Sequence, residues 1–313
     1  MEVVNPFFTV LTPTFKGADR LAGVLKCLLD QSFKSFEWII VLDGHHQETI
    51  HWINDNIYKN LMIDFIVKVD IIQHNHKKAA INHGLKMASG EFIIIADDDD
   101  WFPSNSFETF IKAWNSIPNE NRVDFVGVTG LCVDESGNVI GDKFPKDEFV
   151  STPLECLIKH RIKGEKWGII KKSIFLENMF FEEPKGYVGE STVWFNIGKK
   201  YKTLYINKVV RIYRFNPISI MNSVHSKQKI LANCQAYSWG YKHPCENFLF
   251  EIIKSPRILI AYSSNYVRYL LHCLNSGQYR YWLSPVSSIS VFISAFIGLP
   301  IGFFLFSRDL IRK

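Results

Sequence analysis

Phe92-Ile93-Ile94-Ile95-Ala96-Asp97-Asp98-Asp99-Asp100-Trp101 sets five apolar residues directly before four carboxylates. The apolar part is short, unbroken and rich in isoleucine, the pattern of a strand buried on both faces. Adjacent carboxylates repel one another by about 1 kcal/mol per pair even in water, and by more where water is excluded. A strand end keeps such a run beside a cation, or as a solvated acidic turn in which Asp100 helps to cap the next helix. Asp97 and Asp99, spaced i and i+2, can turn to one side and offer oxygen ligands to a hard divalent ion such as Mn²⁺ or Mg²⁺.

Two upstream runs have the same form. Residues 7–11 lead into Thr12-Pro13-Thr14, and residues 38–42 into Asp43-Gly44. Helical patterns separate them: residues 18–31, with Leu21, Val24, Leu25, Leu28 and Leu29 on one stripe, and residues 79–88, closed by Gly90. Strand and helix alternating at this spacing predict an α/β fold with a mostly parallel central sheet and flanking crossover helices. Ligands of such sheets bind at the carboxyl ends of the strands, so Thr12, Thr14, Asp43 and the aspartate run should converge on one crevice. Downstream, Ser104 can cap a helix to about Ile117. Residues 125–133 read as a strand turning at 135–138 into Val139-Ile140, and residues 204–213 as a further strand.

The ordered set of residues 8–101, FTVLTPTFKGADRLAGVLKCLLDQSFKSFEWIIVLDG…HKKAAINHGLKMASGEFIIIADDDDW, resembles the N-terminal half of inverting family-2 glycosyltransferases of the GT-A, Rossmann-like fold. The resemblance implies that Thr12, Pro13 and Thr14 line the base and ribose site of a nucleotide-sugar donor. It also implies that Asp43 hydrogen-bonds the base or ribose, and that Asp97 and Asp98 contact the donor beside a metal on Asp97 and Asp99. Asp43 also suits a plain Asp-Gly turn. Lys77 stands where family members place a Lys or Gly ahead of an Ala-x-Asn helix and would meet the donor phosphates; Lys78 is chemically equivalent, and a solvated basic turn is the alternative. His74 and His76 read as ordinary loop residues.

A second constellation, Lys163-Gly164-Glu165-Lys166-Trp167-Gly168, resembles a family segment near donor sugar and acceptor. There Glu165, Lys166 and Trp167 would touch sugar, as would Trp194; each tryptophan suits the core equally well. At Gly189-Glu190-Ser191 a helix begins where the family carries an acidic pair holding the catalytic base. Glu190 is the candidate base, with a simple helix-dipole role as the alternative. Ser191 in place of the second acid motivates a different reading, a catalytically silent relative that binds nucleotide-sugar or scaffolds a membrane assembly. A nucleotidyltransferase is disfavoured, because Thr12–Lys16 holds no glycine for a phosphate loop.

Charge and hydropathy are unevenly spread. Residues 199–280 carry thirteen Lys/Arg against the two acids Glu246 and Glu251. From Tyr281 to Ser307 no residue is charged, and Arg308, Arg312 and Lys313 follow. The uncharged stretch is long enough to cross a bilayer, but Pro285, Pro300 and the serines also suit a re-entrant or in-plane segment, or a buried core helix. Following a basic zone, it indicates a membrane surface rather than nucleic acid as the partner. Six cysteines lie far apart without a metal or disulfide pattern, and the N-terminus lacks a signal-peptide pattern. Together these give an expected place at the cytoplasmic face of the inner membrane. The implied acceptor is a glycan on a polyprenyl diphosphate. The expected organisation is a glycosyltransferase domain at 1–215 (halves at about 1–105 and 106–215), a basic helical extension at 216–280, and a membrane-associating segment at 281–313.

Overall fold

The computed structural model describes residues 5–59, 62–74, 76–214 and 227–311. The expected boundary at 215–216 and the basic tail residues Arg312 and Lys313 lie outside them. The chain forms two compact units. One comprises Met1–Leu157, Ile162–Phe180 and Phe195–Phe215; the other comprises Ile158–Arg161, Phe181–Trp194 and Asn216–Lys313.

The first unit is built on an eight-stranded sheet, with β1 (Phe8–Thr14), β2 (Phe36–Asp43), β3 (Ile66–Ile72), β4 (Phe92–Ile95), β5 (Phe125–Val133), β6 (Glu148–Ser151), β7 (Lys166–Lys171) and β8 (Lys202–Ile212), in the order β3-β2-β1-β4-β7-β5-β8-β6. β1, β2, β3 and β4 run parallel, as do β5 and β8, while β7 and β6 run antiparallel to their neighbours. Every residue of β1 and β2 is buried, as expected for strands covered on both faces. Phe8, Val10, Trp38 and Ile40 meet α1 (Ala18–Leu29) and α4 (Ser106–Ser116) in the main core, while Leu11 and Val41 on the other face meet Gly84 of α3 (His76–Met87). Between α1 and α3 lies α2 (Gln47–Ile53), and α5 (Pro153–Ile158) and α6 (Lys172–Glu177) flank β7 in sequence.

Two buried side chains, Glu37 and Asn82, act as structural fasteners. The Glu37 carboxylate accepts from the Thr9 hydroxyl at 2.7 Å and pairs with Lys68 at 2.7 Å, and the Ser89 amide also donates to it. It thereby ties β2 to the turn that enters β4. Asn82, the asparagine of the Ala-x-Asn helix, donates to the Phe180 carbonyl at 2.8 Å and accepts from its amide at 2.9 Å, so a side-chain amide completes the hydrogen bonding of a buried loop.

A short helix, α7 (Ser191–Ile197), precedes β8, and three long helices follow: α8 (Lys227–Asn247), α9 (Pro256–Asn275) and α10 (Ile289–Ile311). In the second unit, Cys234, Tyr266, Val267, Leu270, Cys273, Leu283 and Val291 form one core, and the Tyr266 hydroxyl donates to the Leu283 carbonyl at 2.7 Å. Helix α10 runs unbroken through Pro300, and it is long and apolar enough to cross a membrane. The six cysteines are free and buried.

Candidate active site

Because β1, β2 and β4 are parallel, their carboxyl ends open on one edge and bring together Thr14, Asp43 and Asp97. The aspartate run then sorts by alternation. Asp98 is buried, and both of its oxygens are taken: Oδ2 by the Thr14 hydroxyl at 2.5 Å and Arg20 Nη2 at 2.7 Å, Oδ1 by Arg20 Nε at 2.8 Å. Gly17 is required beside this cluster, since a Cβ there would stand 2.0 Å from the Thr14 hydroxyl oxygen. Asp98, expected to contact the donor, shapes the β1–α1 loop through its bonds to Arg20 and Thr14.

Asp100 is likewise committed. Its carboxylate accepts from the Asp97 amide at 2.9 Å and pairs with Arg211 at 2.5 Å, so it closes the acidic turn instead of capping the next helix. Burial pushes its carboxyl up to about 7, against the pull of Arg211 and with repulsion from Asp97 and Asp99 adding. Asp97 moves the other way. Burial alone would raise it, but Lys77, 2.8 Å away, and Arg211 hold it below the ordinary carboxylate value.

Oxygens of Asp97, Asp99 and Asp100 lie within 4.8 Å of one another. Asp97 Oδ1 is buried and has no hydrogen-bond partner among the described residues. A buried, unpaired carboxylate oxygen is costly unless something binds it. The donor set is therefore all-oxygen and incomplete, which fits a hard divalent cation. With Asp100 tied to Arg211, Asp97 and Asp99 are the residues that could hold such an ion.

Around this centre the expected residues fall into several groups. Thr12 is fully buried, and its hydroxyl accepts from the Trp38 indole at 2.9 Å; Pro13 is buried in β1 beside it. Asp43 is buried and pairs with His74 Nδ1 at 2.9 Å, and the His74 ring stacks on Phe15 with centroids 4.9 Å apart. His74 is thus not an ordinary loop residue but the partner that holds Asp43. Lys77 reaches Asp97, as noted, from the first turn of α3, and its neighbour His76 has a left-handed φ of 69°. Residues forced into that region cluster at functional sites.

Sequence reasoning missed Arg211. It lies on β8, more than 100 residues from the aspartates, and its guanidinium also approaches Glu165 at 3.9 Å. Lys166 bonds the carbonyls of Lys163 and Glu165 at 3.0 and 3.2 Å, and burial lowers its ammonium pKa. Trp167, expected to offer a ring face to sugar, packs in the main core. It is 6% exposed, donates its indole N–H to the Ile95 carbonyl at 2.6 Å, and stacks on Phe102 at 5.2 Å.

Glu190 and Trp194 belong to the second unit. Glu190 is partly exposed at the start of α7, where its carbonyl accepts from the Val193 amide at 3.0 Å and the Trp194 amide at 3.3 Å. Ser191, in place of the second acid, hydrogen-bonds the hydroxyl of the partly buried Tyr262. Trp194 is partly buried.

Known proteins resemble this chain in sequence and in fold. GalNAc(5)-diNAcBac-PP-undecaprenol beta-1,3-glucosyltransferase of Campylobacter jejuni is 32% identical over 217 residues, 67% of this chain. The chain spans 65% of that relative's own length. Among solved structures, S. aureus TarS 1-349 in complex with UDP-GlcNAc has a TM-score of 0.58 at 15% identity, covering 96% of this chain and 90% of that one. The mannosyltransferase PcManGT from Pyrobaculum calidifontis, in complex with GDP-Man and Mn²⁺, has a TM-score of 0.57 at 15% identity, covering 98% and 85%. These likenesses carry the GT-A fold. Residues 9–175 match the family described as Glycosyl transferase family 2, more than half of the sequence, and the chain belongs to that family.

Proposed function

We propose that this protein is an inverting, metal-dependent glycosyltransferase that moves a sugar from a UDP-linked donor to a hydroxyl of a lipid-linked glycan at the cytoplasmic face of the inner membrane. The observation that carries the reading is the alternation in the aspartate run. Asp98 and Asp100 are held by Arg20 and Arg211, while Asp97 keeps a buried oxygen without a hydrogen-bond partner among the described residues, beside Asp99. Mn²⁺ or Mg²⁺ on Asp97 and Asp99 would offset the charge that grows on the departing nucleoside diphosphate.

The chain's own residues do the rest. Asp43, steadied by His74, accepts a hydrogen bond from the base or ribose, with Phe15 beside it. Lys77 is a cation within reach of Asp97 and serves the diphosphate. Glu190 takes the proton from the acceptor hydroxyl as it attacks the anomeric carbon from the face opposite the leaving group, so the configuration inverts without a covalent intermediate. A UDP donor is supported by the UDP-GlcNAc complex of the TarS neighbour, and a polyprenyl-diphosphate-linked acceptor by the name of the Campylobacter relative.

The test is a transfer assay with UDP-sugars and an undecaprenyl-diphosphate-linked glycan in detergent. Transfer with inversion supports the reading. Donor binding without hydrolysis or transfer would favour the catalytically silent alternative, which rests on Ser191.

A further inference from the structure

Helix α10 is held to α9 by one narrow stripe. Along it, Val291, Ser294, Gly298, Gly302 and Asp309 are buried, spaced three, four, four and seven residues apart. A Cβ at Gly298 would lie 2.2 Å from the Ser263 carbonyl oxygen, and one at Gly302 would lie 2.7 Å from that of Ser264, so the two helix backbones touch. Such close contact is available only to small residues. Near the far end of α10 the Asp309 carboxylate receives Arg268 Nε at 2.5 Å and Nη2 at 2.9 Å, with His272 Nε2 at 3.2 Å. Both sides of this pair are almost fully buried, which makes a bidentate clamp that breaks only at high cost.

The opposite side of α10 is apolar and exposed. Ile289 is 81% exposed, Phe296 75% and Phe303 57%, at successive spacings of seven residues. Before the helix, Tyr281 and Trp282 are exposed, as are Lys254, Arg257 and Arg280. Residues 227–311 carry eight Lys/Arg against three acids. An uncharged apolar face, with exposed aromatic and basic side chains in the segments that precede it in sequence, has the chemistry of an anionic bilayer's layers: acyl chains, interface, headgroups.

We infer that α10 lies flat on an anionic lipid surface, its Ile289–Phe296–Phe303 face sunk into the acyl boundary. The clamp and the glycine contacts weigh against a spanning pose. Helix α10 is fixed to α9 from Gly298 to Asp309, so it could span only by taking α9 and the Arg268–Asp309–His272 cluster through the bilayer with it.

The test uses the full chain and vesicles. The protein should float with vesicles containing phosphatidylglycerol and bind pure phosphatidylcholine at least tenfold more weakly. Phe296→Glu should lose flotation by about tenfold or more while leaving the fold, read by circular dichroism, unchanged. Nitroxide labels at Ile289→Cys, Phe296→Cys and Phe303→Cys, each about 10.5 Å further along the axis, should report one shallow depth. Depths that change progressively from one position to the next would show a spanning helix and overturn the inference. So would a concentration-dependent dimer that does not bind vesicles, since a second copy would then cover the face.

Discussion

The Arg211 guanidinium of β8 reaches the Asp100 carboxylate at 2.5 Å, and the two side chains are 11% and 4% exposed. This pair joins the last long strand of the sheet to the acidic turn after β4. It explains how four adjacent carboxylates are tolerated there: one is neutralised by Arg211, another by Arg20, and Asp97 is balanced by Lys77.

Removing one partner of such a pair leaves the other buried without its compensating group, so that it must protonate or stay as an uncompensated charge. Arg211→Ala should destabilise the protein by about 3 kcal/mol, read by urea denaturation. Arg211→Met combined with Asp100→Leu should recover most of that loss. A single variant as stable as the parent would contradict the role given to the pair.

Glu37 provides a pH signature remote from the aspartates. Burial opposes ionisation, but the Lys68 ammonium, the Thr9 hydroxyl and the Ser89 amide outweigh it and hold the folded-state pKa below 4.5. The stabilisation is thus present above the unfolded-state value and is lost as pH falls through the lower folded one. Between roughly pH 5 and pH 3 the parent should lose stability more steeply than Glu37→Gln, which is weaker at neutral pH but flatter in acid. Equal slopes in urea melts across that window would count against the assignment.

Glu190→Gln should leave nucleotide affinity unchanged and lower transfer by about 10²-fold or more, the usual contribution of a general base. Full transfer by the variant would move the base elsewhere.

The parallel half of the sheet was legible because continuous apolar runs end in polar residues, so Thr14, Asp43 and Asp97 could be placed on one edge before any coordinates. Strand β3 was not, since Ile66–Ile72 interleaves Lys68 and Asp70 and lies at the sheet edge, half wet. The partners of the polar set were equally hidden. Arg20, His74 and Arg211 come from a helix, a loop and a strand, and no local spacing signals that a charge will be met 78, 31 or 111 residues away. Trp167 was ambiguous for a different reason. An indole suits sugar and core alike, and no local spacing signals that its N–H will meet the Ile95 carbonyl 72 residues away. For α10, composition marked the segment, but the face that packs is set by Ser294, Gly298 and Gly302, whose meaning depends on α9.

The central claim is that Asp97 and Asp99 hold a divalent cation for a nucleotide-sugar. Calorimetric titration of UDP, with GDP for comparison, in the presence and absence of Mn²⁺ tests it most directly, alongside Asp99→Ala. The account predicts UDP binding that needs Mn²⁺ and is abolished in the variant. UDP binding of equal affinity with and without the metal, or unchanged in Asp99→Ala, would contradict it.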